Sequence, residues 1–132
     1  MTIDFSGIWN ANLRESRLLG PIPKAITITI EQSAVELKEE VLVKKPDGTE
    51  DRLVFQCCIN GEKDRNRLNG KPIRGDARWE DEALVIESWM QLAGREMHFC
   101  DRWSLSSDRQ TLRMEHREGD LAGQKTVLNR VP

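Results

Sequence analysis

From Ala77 to His116 the apolar residues fall at alternate positions: Leu84, Ile86 and Met90, then Met97, Phe99, Trp103 and Leu105, then Leu112 and Met114. A period of two is that of a strand with one dry face and one wet face. The stretch also repeats itself. Arg78-Trp79 leads through Glu80-Asp81-Glu82 to Leu84-Val85-Ile86-Glu87, and Arg102-Trp103 leads through Ser106-Ser107-Asp108 to Leu112-Arg113-Met114-Glu115. Each copy is strand, polar turn, strand, which gives four consecutive antiparallel strands. No helical period offers a cover for the dry face, so the sheet must close into a barrel or stack on a second sheet.

The flanking segments obey the same rule. Asp4 to Leu13 predicts a first strand with Phe5, Gly7 and Trp9 on one face. Arg14 to Lys24 carries Pro21 and Pro23 and reads as a crossing loop, with room for one helical turn before the prolines. Ala25 to Gln32 puts Ile26, Ile28 and Ile30 inside, and Ser33-Ala34 reverses the chain into Val35 to Lys44. Pro46-Asp47-Gly48 makes a hairpin loop before a strand whose inner face is Leu53, Phe55, Cys57 and Ile59. Asn60-Gly61 and Asn69-Gly70 bracket the weakest strand, Asp64 to Leu68, and Pro72 opens the next. Turns at Leu92 to Gly94 and Gly119 to Gly123 lead to a closing strand, Gln124 to Val131. The expectation is one all-β domain over residues 1–132, an antiparallel up-and-down barrel of about eight to ten strands.

Charge removes several function classes. Lys and Arg number 20 against 22 Asp and Glu, the net charge is −2, and both signs are interspersed. No basic face for nucleic acid results. No apolar run is long enough for a membrane helix or a signal core, which places the chain in the cytoplasm, or makes it an exported protein if a cleaved leader once preceded it. Of the three cysteines, Cys57 and Cys58 are adjacent and point to opposite faces, so reduced, inert thiols are expected there and at Cys100. The two histidines, His98 and His116, fall on opposite faces and give no metal site. No cofactor is implied.

The opening Phe5-Ser6-Gly7-Ile8-Trp9 resembles the G-x-W start of the lipocalin and fatty-acid-binding (calycin) superfamily, and the run of hairpins behind it resembles that barrel. The resemblance implies a small apolar or amphipathic molecule inside the barrel. It also implies that Trp9 packs at the closed end under an arginine from a late strand, for which Arg130 is the candidate. In some calycin relatives a single histidine holds a haem at the barrel mouth. The fatty-acid-binding branch has a two-helix lid and an Arg-x-Tyr pair for the carboxylate. Here the segment after the first strand is too short for a lid, and the chain contains no tyrosine.

Polar residues that interrupt the dry face are the candidate chemistry. If Ser107 to Gln110 is a four-residue loop, Leu105 opposes Leu112, Trp103 opposes Met114, and Asp101 opposes His116. That pair can be a structural ion pair, can orient a ligand's polar group with its second nitrogen free, or can act as an Asp-oriented general base. Glu39 interrupts the face of Val35, Leu37, Val41 and Val43 and falls near Phe55, unless a register slip turns it to solvent. Ser88 shares the face of Ile86 and Met90. The candidate ligand-binding set is therefore Glu39, Phe55, Ser88, Phe99, Asp101, Trp103, Met114 and His116. The expected partner is a small apolar molecule held by a monomer or weak homodimer. The alternative function is a cofactor-free isomerase, hydratase or cyclase using Asp101 and His116. Val85 and Trp89 fall on the wet face, as ordinary surface, cover for a terminus, or a small dimer contact.

Overall fold

A computed structural model of the chain describes residues 3–60, 66–119 and 123–132. Their strands are β1 (Gly7–Ala11), β2 (Ala25–Gln32), β3 (Glu36–Lys44), β4 (Glu50–Cys58), β5 (Arg67–Leu68), β6 (Lys71–Pro72), β7 (Arg74–Glu80), β8 (Ala83–Leu92), β9 (Arg95–Leu105), β10 (Thr111–Glu118) and β11 (Gln124–Arg130). No helix occurs among the described residues, and none there is long and apolar enough to cross a membrane. The strands form one antiparallel sheet in the order β6-β5-β4-β3-β2-β1-β11-β10-β9-β8-β7. Each strand pairs with its neighbour in sequence except β6 and β7, which are the two edges, and β1 joins β11, so the two ends of the chain meet inside the sheet. The result is a nearly closed up-and-down barrel whose remaining seam lies where β4 approaches β7.

Eleven strands replace the expected eight to ten because the segment opened by Pro72 divides. Proline cannot donate to a ladder, and Pro72 ends β6 opposite Arg67 instead of starting a long strand. The next amide, Ile73, donates to the carbonyl of Asn66 at 3.1 Å, and β7 begins only at Arg74. The weak strand shrinks to Arg67 and Leu68; its expected first residues, with Gly61 of the Asn60-Gly61 turn and part of the Gly119 to Gly123 turn, lie outside the described residues. The first strand is also shorter than expected. Before it, Asp4 accepts from the Ser6 amide and Gln32 from the Phe5 amide, so side chains take the bonds a strand partner would have made. The crossing loop opens with one hydrogen-bonded turn, the Glu15 amide donating to the Asn12 carbonyl at 3.2 Å, and forms no helix. Instead Arg17 bridges to Lys125, and Ser16 Oγ accepts from the Val127 amide at 2.9 Å, which buries Val127 on the outside of the barrel.

The dry face fills one end. Phe5 and Trp9 are wholly buried among Leu84, Leu112 and Leu128. Phe5 stands edge-on to Trp103 and parallel to Trp79. Arg130 is the register partner of Trp9, and its guanidinium lies 4.3 Å above the indole while donating to the carbonyls of Ser6 and Arg109. On the wet face Val85 is not ordinary surface. It is buried, with Arg78 and Arg102 as its cross-strand neighbours on either side. Trp89 is stacked between His98 and the guanidinium of Arg74. Val35, placed on the dry face by alternation, precedes β3 and is exposed.

Candidate functional site

Above the plug of aromatic rings the side chains no longer fill the barrel, and a cavity of about 320 Å3 remains. That volume lies at the small end of ligand pockets. The four-residue loop sets the register of β9 and β10: Ser106 and Thr111 close it, and Leu105, Trp103 and Asp101 oppose Leu112, Met114 and His116 in turn. Because side chains alternate, all of them reach the lumen. Glu39 is likewise in register with Phe55, so no slip turns it outward. Glu39, Phe55, Ser88, Phe99, Asp101, Trp103, Met114 and His116 all line the cavity.

Five further lining residues are apolar: Leu53, Leu68, Ile73, Ile86 and Met90. Leu68 and Ile73 were not legible as wall, because two-residue strands carry no alternation. A weaker signal existed, since they are the two large aliphatic side chains between Ile59 and Ala77.

The polar part of the wall is assembled from opposite sides of the lumen. His116 Nδ1 lies 2.7 Å from Asp101 Oδ1, and its ring is stacked on Phe99. Its second nitrogen is not free, contrary to expectation. Nε2 lies 3.5 Å from a carboxylate oxygen of Glu118, two residues on along the same face of β10. That distance makes a weak hydrogen bond but a real electrostatic contact. The Asp101 hydrogen bond, with Glu118 behind it, holds the imidazole pKa above its usual value against the opposing effect of burial. The ring therefore keeps its proton to higher pH than a free histidine does.

Glu39, across the lumen on β3, has no hydrogen-bond partner among the described residues, and the surface it keeps is cavity wall. Burial pushes its carboxyl up to about 8, with the charge of Asp101 adding to the rise and His116 opposing it. At neutral pH it holds its proton and can donate a hydrogen bond or a proton to whatever occupies the cavity.

The thiols take no part. Burial, helped by Glu39, pushes Cys57 up to about 12, and burial raises Cys100 as well. Neither supplies a thiolate at neutral pH. His98 stacks on Trp89 outside the barrel, on the face opposite to His116. Among the described residues no three His, Cys, Asp or Glu side chains gather as a metal site. Compared with known proteins, the chain matches no protein-family model, and no curated protein is significantly similar to it.

Proposed function

We propose that the protein binds a small amphipathic molecule inside the barrel, the apolar body against Phe55, Trp103 and Met114 and the polar end at Glu39, Asp101 and His116. One observation carries the reading. An otherwise apolar cavity contains a carboxyl group without a hydrogen-bond partner among the described residues, opposite the hydrogen-bonded Asp101–His116 pair. Glu39 is half-buried at an apolar wall, where its carboxyl is poorly solvated, and a ligand group would satisfy it. The Gly7-Ile8-Trp9 opening, with Arg130 over the indole, supports grouping the barrel with lipocalin-like binding proteins. Native mass spectrometry of protein purified from its own host tests the proposal, with an adduct of one small molecule expected. Protein that flies empty, and whose melting temperature no small amphipath raises, would overturn it.

The raised pKa of Glu39 also favours a second reading, a cofactor-free isomerase, hydratase or cyclase in the same cavity. Glu39 would be the acid, and the Asp101–His116 pair would hold the substrate's polar group. Turnover of a bound molecule, lost in Glu39→Gln, separates an enzyme from a binder.

A further inference from the structure

The cavity wall also bears on the charge of its occupant, an argument that rests on the reading of the cavity as a ligand site. We propose that the ligand is a small protonated amine with an apolar body, its ammonium group received by Glu39 and Asp101 beside the ring of Phe55. Among the described residues the wall contains no lysine, arginine or tyrosine, and its titratable groups there are two carboxyls and one imidazole. Both nitrogens of that imidazole are already engaged, Nδ1 by Asp101 and Nε2 by Glu118. An anionic ligand would meet no unpaired cation among the described wall residues and would lie against two acidic side chains, Glu39 and Asp101. A cation meets the reverse, two carboxyls in a water-poor space. It also finds an aromatic face in Phe55, the register partner of Glu39.

Binding would be coupled to protons, and the balance is simple. Glu39 is protonated in the empty cavity at neutral pH. As the ammonium arrives, the Glu39 O–H bond breaks, the proton leaves to solvent, and the carboxylate and ammonium remain as an ion pair. The groups that face Glu39 are Asp101 from β9, His116 from β10 and Cys57 from β4. The Cys57 thiol stays neutral throughout.

The test is calorimetry at pH 7 with three probes that share one chain: n-hexylamine, hexan-1-ol and hexanoate. Hexylamine should bind roughly tenfold or more tightly than hexanol, and hexanoate more weakly than either. Repeating the amine titration in buffers of different ionisation enthalpy should show proton release. Glu39→Gln, which keeps size and shape but cannot ionise, should abolish that release and the preference for amine over hexanol. Hexanol binding as tightly as hexylamine, or hexanoate binding best, would overturn the cationic ligand and leave the cavity as a binding site. Failure of all three would overturn the binding site itself.

Discussion

Trp9 is wholly buried, donates its Nε1 hydrogen to the Phe5 carbonyl at 3.1 Å, and carries the Arg130 guanidinium on its face. Truncation to alanine removes a large core side chain together with that stacking, so Trp9→Ala should lose on the order of 3–5 kcal/mol in a denaturant titration. A loss below about 1 kcal/mol would mean that the indole does not plug the barrel. Gly7 matters for a different reason. Its φ is +143°, a region that side chains disfavour, and a methyl group there would sit 2.7 Å from Arg130 Nη1. Gly7→Ala should therefore strain the backbone and displace the arginine, at about 1–3 kcal/mol. At the other end of the lumen, His116→Phe should preserve the fold and, by releasing Asp101 Oδ1 towards the ligand, change ligand affinity roughly five- to 150-fold, the worth of one buried hydrogen bond. Unchanged affinity with reduced stability, measured on the same variant, would show that Asp101 and His116 are only a structural pair.

Among the strands, what could be read from the sequence was whatever a short turn fixes. The loop between Leu105 and Thr111 determines the pairing of Asp101 with His116, and Pro46-Asp47-Gly48 determines that of Glu39 with Phe55, because hairpin register follows from loop length. The seam was not legible, since it joins residues that no turn connects. Asn66 is buried there, its Oδ1 accepts from the Cys58 amide at 2.9 Å, and its side chain abuts Gly75, whose missing Cβ makes the space. Alternation within so short a strand gives no hint of this. Nor does local pattern show that Glu39 and Asp101 feel each other across the lumen, which requires the closed barrel. Asn66→Ala leaves the Cys58 amide without its acceptor, and a loss of about 1–3 kcal/mol is expected. Hydrogen exchange should locate the damage: the Cys58 amide should exchange faster, while those of Leu112 and Leu128 at the plugged end keep their protection.

For the molecule as a whole, the two titrating groups of the cavity act in the same direction. Glu39 has a folded pKa of about 8 against an ordinary 4.5, so between those values the folded state binds more protons than the unfolded chain. Stability then falls as pH rises through this window, by on the order of a few kcal/mol by the time Glu39 is ionised. His116, also raised, contributes stability that is fully present below about pH 6.5 and is lost as pH climbs through its folded value. The hydrogen-bonded carboxylates Asp47 and Asp108 are shifted down, and their contribution disappears only on the acid side, as pH falls through their folded values. The unliganded protein should thus be most stable near pH 5 and lose stability steadily towards pH 8, the opposite of a protein governed by surface ion pairs. Glu39→Gln should match the parent near pH 4.5 and exceed it by a margin that grows up to about pH 8 and then levels off. His116→Phe should remove the part of the decline that begins above pH 6.5. Thermal unfolding from pH 4 to 9 on the three proteins checks this, and a parent whose stability rises from pH 5 to 8 would mean that Glu39 is ionised and solvated rather than held protonated in the cavity.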